Sequence, residues 1–390
     1  MGLAPYGKDN FNKEISKLIK LKNNGKFELN LSYFSHTKSW KAQQWDKGIP
    51  IIENQYAEKI IELLGKPREK DEPIKQKHMD IARSTQELYE KVLFHILNNL
   101  YSKHNIKTLS LAGGCAANSV ANGKITRNTP FKSVYVQAAA GDAGGAIGAA
   151  LEVWHKVGNK RSKNMGPAYL GPKTNQSELK NFLLEKEFKD ELEKNNFKLV
   201  EYDLDKVSED KLFEKVTDEI IKGKVIGWFQ GRMEWGPRAL GNRSIIADPR
   251  NINMKSILNS KIKRRESFRP FAPSILKEEI ANWFEIQDET DREVPYMMKV
   301  YKFKKEKIEL IPSVCHVDCT GRLQSVDKSY NRKYYNLIKS FFKKTGVPML
   351  LNTSFNENEP IVRSPSEAFQ CFLRTKMDIL VIENILFLRN

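Results

Sequence analysis

The sequence predicts an α/β chain whose strands empty into glycine-rich turns, and three observations carry that class. Residues 225–229 read V-I-G-W-F, apolar and β-prone, and run into turns at Gly231, Gly236-Pro237 and Gly241. Strand, glycine turn and helix follow one another twice earlier in the chain, around 108–116 and 134–157. From residue 177 onward, strand and helix segments alternate irregularly to the end, the pattern of a mixed sheet.

In chain order, residues 1–8 carry glycine and proline punctuation and read as a loop, and 11–30 shows a short helix-like pattern. Residues 33–45 are polar and aromatic, better suited to capping a core than to lining a ligand pocket, and 51–64 reads as a helix. The clearest helix covers 80–105, where Ile81, Leu88, Val92, Ile96 and Leu100 form one apolar stripe. A buried strand at 108–111 runs through Gly113 and Gly114 into a helix beginning near Ala116, and a strand at 134–136 runs through the 141–145 turn into a helix to 157. Such turns present backbone N–H groups and a helix dipole to an anion. Asp142, in the second turn, suits the cap of the following helix.

Residues 156–175 contain Gly158, Gly166, Pro167, Gly171 and Pro172 without apolar periodicity, and mark the linker between a first domain, 1–165, and a second, 166–390. The second opens with a helix over 177–194, a strand at 198–202 and a helix over 208–222. A helical connector follows the glycine turns, 348–351 forms a strand, S-P-S-E at 364–367 starts a helix, and 379–382 is a closing strand. Cys371, among Phe369, Phe372 and Leu373, belongs to the core.

The chemistry concentrates between residues 225 and 274. Arg232, Arg238, Arg243, Lys263, Arg264, Arg265 and Arg269 are interleaved with Trp228, Phe229, Trp235, Phe268 and Phe271. Guanidinium groups packed among aromatic rings need anionic partners. Phosphate fits, because a planar guanidinium clamps it through two hydrogen bonds at once. Farther on, Asn352, Thr353, Ser354 and Asn356 at a strand end offer short amides and hydroxyls, which bind an anion or stabilise a turn. Beside so many cations, binding is favoured. Residues 316–326 offer His316, Asp318, Arg322 and Gln324, where Arg322 either pairs with Asp318 or meets a ligand.

Composition bounds the rest. The 390 residues suffice for two cores, and no apolar run is long enough to cross a bilayer. Four scattered cysteines make no disulfide framework, so a reducing cytoplasm is expected. Cys315, His316 and Cys319 lack the second cysteine pair of a zinc site. The formal charge of +17 fits a nucleic-acid binder, the rival from another class, but the lysines are dispersed and no recognition motif accompanies them.

The segments G-R-M-E-W-G-P-R-A-L-G-N-R-S-I and R-E-S-F-R-P-F-A-P-S resemble the carbamoyltransferases that modify nodulation factors and antibiotics such as tobramycin and cephamycins. So do M-G-L-A-P-Y-G, L-A-G-G-C-A-A-N, Q-A-A-A-G-D-A-G-G-A-I-G-A-A, H-V-D-C-T-G-R-L-Q-S-V and L-L-N-T-S-F-N, in the same order. The resemblance implies a first domain containing the second half of an actin/Hsp70-like nucleotide fold, with Gly113, Gly114, Asn118 and Gly144 at the nucleotide and Asp142 on a divalent metal, usually Fe2+. It implies a second domain akin to threonylcarbamoyl-adenylate synthases. There carbamoyl phosphate and ATP, with Mg2+, yield carbamoyl-adenylate and pyrophosphate, and the carbamoyl group then passes to a hydroxyl of a sugar or secondary metabolite. Arg238, Lys263 and Arg269 are the expected catalytic residues, and Arg243, His316, Arg322, Asn352, Thr353, Ser354 and Asn356 the substrate ligands.

The sequence departs from the family in two ways. M-G-L-A-P-Y-G opens the chain, whereas typical members precede it with the first strands of the nucleotide fold and a histidine-bearing metal motif. None of His36, His78, His95, His104, His155 and His316 has a neighbourhood resembling that motif. A complementary N-terminal polypeptide, a fragment of a longer protein and a degenerate, non-catalytic product all fit the gap. Cys319 also stands where glycine is usual, with Gly321 nearby to relieve the turn.

Overall fold

The computed structural model describes residues 1–35, 44–46, 49–51, 54–69, 71–160, 166–203, 208–287 and 292–389; His36 and part of the expected linker lie outside them. These residues pack as two units, Met1–Lys107 with Ile125–Lys132, and Thr108–Lys124 with Ser133–Asn390. Residues 108–124 and 133–160, grouped with the first domain on sequence grounds, therefore pack within the second unit.

The first unit is built on the helix Gln76–His104. Its buried positions are largely polar, Asp80, Ser84, Gln86 and Glu90 beside Val92 and Leu97. Asp80 explains part of this: its carboxylate accepts the Lys8 N–H and Asn10 Nδ2, each at 2.8 Å, and Gln76 Nε2 at 2.7 Å. A buried carboxylate so compensated ties down the opening residues, and Ala4–Tyr6, expected within a loop, forms a 3-10 turn. The apolar stripe is correspondingly incomplete, and Leu100 is 38% exposed. His95 Nε2 lies 2.9 Å from the Lys22 carbonyl and 3.1 Å from that of Lys26, a packing role. The helix expected over 51–64 is confined to Glu58–Leu64, and Ile49–Ile51 is a strand.

The second unit contains an eight-stranded mixed sheet, in the order Gln324–Val326, Ala272–Leu276, Met349–Ser354, Arg243–Ala247, Ile226–Phe229, Ile379–Ile382, Ile385–Leu388 and Lys198–Glu201. The first pair and the 226–229/379–382 pair run parallel, and the rest antiparallel. The central strands are buried at every residue; Ile226–Phe229 and Ile379–Ile382 are continuous apolar runs, as burial on both faces requires, whereas Arg243–Ala247 opens on a buried Arg243 and Ser244. Helix Glu209–Ile221 sends Leu212, Phe213, Val216 and Ile220 into the core at helical spacing, and Pro365–Arg374 adds Phe369, Cys371 and Phe372. Each such large side chain contributes about 1.5–3 kcal/mol on burial.

The helix expected over 177–194 is two helices, Gln176–Leu184 and Lys186–Lys194, broken at Glu185. Phe182 and Phe188 explain the break. On one helix they would lie about 120° apart around the axis, yet here their rings meet in the same core with centroids 4.6 Å apart.

Strands Thr108–Leu111 and Ser133–Val136 pair in parallel as a separate two-stranded sheet. The first is less buried than its sequence suggests, with Thr108 and Ser110 exposed. The helix expected from Ala116 is also broken, into a 3-10 turn Gly114–Ala117 and a short helix Ser119–Asn122. Asn118 causes the restart by capping: its Oδ1 accepts the Ala121 N–H at 3.2 Å. The second glycine turn does lead into the expected helix, Gly144–Lys156.

Candidate functional site

The strand Ile226–Phe229 ends at Gln230, and the chain then loops out and returns as the strand Arg243–Ala247. Glu234 organises this loop. It is 4% exposed, and its Oε1 accepts the N–H groups of Leu240 at 2.7 Å, Asn242 at 2.8 Å and Arg243 at 3.3 Å. Two glycines make the turns possible. Gly236 has φ +126° and Gly241 φ +105°, and a Cβ on Gly241 would stand 2.1 Å from the Tyr334 ring. Arg238 lies between them with its Nε sealed from solvent and without a hydrogen-bond partner.

Arg238 is one of a group. Burial lowers its proton affinity. Arg322, on the strand Thr320–Arg322, is pushed down to about 9 by burial first and then by the charges of Arg238 and Arg265. Its Nε is likewise buried without a partner. Arg265 is pushed down to about 10 by burial and by Arg269, against a smaller pull from Glu266. Its Nε donates to Asn259 Oδ1 at 2.8 Å and its guanidinium lies 4.8 Å from the Phe271 ring centroid. Arg269 stands at the rim, half-exposed and paired with Glu266 at 2.8 Å.

Lys263 sits beneath, 2% exposed, in a cage of oxygens. Its Nζ donates to the carbonyls of Ser354 at 2.5 Å and Asn356 at 2.6 Å, and to Asn356 Oδ1 at 2.7 Å. Burial, helped by the charge of Arg265, pushes its pKa down to about 7. Ser354 Oγ donates to Asn356 Oδ1 at 2.8 Å, so both expected ligands close around the lysine. Asn352, 1% exposed, donates to the Ala239 carbonyl at 3.2 Å and to Ser274 Oγ at 3.0 Å, leaving its Oδ1 without a partner. Thr353, next along the strand, is half-buried.

Arg243 departs from the role expected of it. It is wholly buried, its guanidinium lies 3.5 Å from the Phe229 ring centroid, and Nη1 and Nη2 donate to the carbonyls of Gln230, Asn242 and Gly231. Its terminal donors are thus engaged by the fold. Nor do Asp318 and Arg322 form the pair considered from sequence. Asp318 accepts Thr320 N–H at 3.2 Å and Oγ1 at 2.6 Å, and lies 3.6 Å from His316 Nδ1. Against the opposing effect of burial, neighbouring His316 and the bonds from Thr320 hold its carboxyl below the usual range. Cys319 occupies φ +61°, and Gly321 gives it no relief: a Cβ there would strike the Phe303 ring at 2.7 Å, so that glycine makes room for packing.

Of the expected nucleotide glycines, Gly113 and Gly114 border open space, while a Cβ on Gly144 would meet the Ala139 carbonyl at 2.2 Å. Asp142 is exposed. Among the described residues no group of three or more His, Cys, Asp and Glu side chains is placed to hold a metal ion, so the residues around Asp142 do not by themselves fit the expected iron site.

Sequence reasoning passed over Glu234 and Asn259. Asn259, 2% exposed, donates to the carbonyls of Ser267 and Arg269 besides accepting from Arg265, and so shapes the arginine-bearing segment. An acidic residue inside a basic motif was the available signal for Glu234; nothing in the local sequence marks Asn259.

Two family models match, Carbamoyltransferase N-terminus over residues 1–151 and Carbamoyltransferase C-terminus over 217–389. Among curated relatives, the uncharacterized protein sll1178 of Synechocystis is 41% identical, covering 98% of this chain and 62% of its own. Nodulation protein NolO of Bradyrhizobium diazoefficiens is 38% identical, covering 98% and 64%. The 3'-hydroxymethylcephem-O-carbamoyltransferase of Amycolatopsis lactamdurans is 30% identical, covering 64% and 42%. The chain thus spans less than two thirds of the length of these relatives. Full-length HypF, in a phosphate- and nucleotide-bound crystal structure, aligns with 50% of this chain and 22% of its own at 18% identity and a TM-score of 0.33, too slight a likeness to bear on fold or function.

Proposed function

Because the chain belongs to the carbamoyltransferase family, we propose that its second unit binds carbamoyl phosphate and ATP and forms carbamoyl-adenylate. One water hydrolyses carbamoyl phosphate to carbamate and orthophosphate, and a carbamate oxygen then attacks the α-phosphorus of ATP to form carbamoyl-adenylate and displace pyrophosphate. The observation that carries this reading is the gathering of Arg238, Arg265 and Arg322. Arg238 and Arg265 are close enough to Arg322 to depress its proton affinity, and Arg238 and Arg322 have no carboxylate partner among the described residues. Buried like charges repel and desolvate at a cost, so a fold that keeps them assembled is matched to an anionic ligand. Two phosphorylated reactants also repel each other. Preorganised guanidinium groups offset that repulsion and stabilise charge on the departing pyrophosphate.

Within this reading Arg238 and Arg322 contact phosphate oxygens, with Arg269 at the rim. Lys263, whose proton affinity lies near neutrality, completes the charge beneath the Asn352–Asn356 strand end. Arg243 braces the loop from inside. Mg2+ enters with the nucleotide. Transfer to a hydroxyl of a sugar or secondary metabolite, and the likeness of the two domains to actin/Hsp70-like and threonylcarbamoyl-adenylate-synthase folds, belong to the same proposal and rest on the family alone. No step is routed through iron, since the described residues do not assemble its ligands.

The test is pyrophosphate release by the purified chain given ATP, Mg2+ and carbamoyl phosphate without acceptor. Release that depends on carbamoyl phosphate supports adenylation by this chain; release that is absent, or indifferent to carbamoyl phosphate, counts against it.

A further inference from the structure

Glu234 lies inside the arginine-rich motif yet faces away from the chemistry proposed for it. Its Oε1 reaches six to nine residues ahead, to the N–H groups of Leu240, Asn242 and Arg243, and so closes residues 234–243 into a ring. Further ties fall on both sides of Arg238. The Trp235 N–H donates to the Ala168 carbonyl at 2.6 Å and its Nε1 to the Ala143 carbonyl at 3.1 Å. On the other side, Asn352 Nδ2 donates to the Ala239 carbonyl, and Gln324 Nε2 and Tyr169 Oη donate to that of Leu240, at 2.8 and 2.9 Å. Arg238, between these pins, has its Nε buried without a partner, and its charge reaches Arg322.

Left to themselves, two desolvated guanidinium groups move apart. Something must hold the backbone of one against the charge of the other, and the side-chain acceptor that closes this ring is Glu234. A carboxylate out of water is costly: burial raises the proton affinity of Glu234 and leaves its Oε2 without a partner, while the three N–H groups converging on Oε1 offset part of that cost. We infer that Glu234 is a positioning residue for the anion site: its carboxylate fixes the ring that aims Arg238 toward the same ligand as Arg322. The inference rests on the anion-site reading above.

Calorimetric titration of pyrophosphate into the full chain tests it, comparing the unaltered protein with Glu234→Ala, Glu234→Asp, Glu234→Gln, Arg238→Ala and the Glu234→Ala/Arg238→Ala double variant. Acting through Arg238, the Ala change weakens binding about tenfold or more, and the double variant binds no more weakly than Arg238→Ala, a coupling that independent sites do not give. Glu234→Gln keeps an amide oxygen for the same N–H groups and stays within about threefold of the unaltered chain, on a scale where tenfold is 1.4 kcal/mol. Glu234→Asp keeps the charge but withdraws the oxygen, and binds weakly. Should Glu234→Ala fail to fold, the Asp and Gln pair decides: Asp near the unaltered affinity with Gln weak overturns the inference. Unchanged affinity in Glu234→Ala, or effects that simply add to those of Arg238→Ala, overturn it while leaving the anion site in place. Pyrophosphate affinity indifferent to Arg238→Ala overturns the site reading itself, and this inference with it.

Discussion

Arg238 and Arg322 come from segments more than eighty residues apart in sequence, yet the charge of one depresses the proton affinity of the other, and each has an Nε buried without a partner. The fold accepts this repulsion, and the two side chains are therefore the sharpest place to separate function from stability. Arg238→Ala removes a preorganised donor without emptying the apolar core. Pyrophosphate release should fall by about 100-fold or more, the size typical of losing one charge-stabilising donor, with the melting temperature held or slightly raised. Undiminished release would remove Arg238 from the site.

Arg322→Met extends the same logic. Methionine fills similar volume without the charge of this partly buried guanidinium, and replacing buried ionic groups by well-packed apolar side chains is often neutral or stabilising by about 1–4 kcal/mol. The variant should melt at a higher temperature while binding pyrophosphate more weakly. A lower melting temperature would mean that the guanidinium contributes to the fold itself.

How much of this was legible depends on what each residue answers to. The strand at 226–229 and the closing strand at 379–382 were plain, because strands buried on both faces need uninterrupted apolar residues. Arg238 and Arg243 were not distinguishable in the same way: both are arginines of one motif, five positions apart. The difference arises in the turn at Gly241, after which Arg243 enters a strand and lies over Phe229 on the neighbouring strand. Glu185 shows the same limit for helices, since the break there answers to where Phe182 and Phe188 must meet. Asn259 acts through main-chain carbonyls eight and ten residues ahead, which no local pattern announces.

Gly241 offers a backbone test of the loop. At φ +105° any side chain is strained, and a Cβ would lie 2.1 Å from a ring carbon of buried Tyr334. Left-handed strain costs about 1–2 kcal/mol, and overpacking typically about 1–3 kcal/mol more. Gly241→Ala should therefore lower the unfolding free energy by about 2–5 kcal/mol in urea titrations. A loss under about 1 kcal/mol would mean that the ring yields easily.

Lys263 supplies a pH test. Burial, with the charge of Arg265 added, pushes its folded pKa down to about 7, whereas an unfolded lysine titrates at about 10.4. Between those values the unfolded chain holds a proton that the folded chain has released, so stability rises with pH across the window. The penalty of burying the ammonium is in full force below about pH 7 and is gone above about pH 10.4. Lys263→Met removes the titrating group. Unfolding free energies of the unaltered protein minus those of the variant should therefore climb by about 1.4 kcal/mol per pH unit between about pH 7.5 and 9.5. A flat difference would mean that the oxygens of Ser354 and Asn356 hold the ammonium charged throughout that range. Lys263 would then serve the site as a fixed cation, and no proton would enter or leave it during turnover.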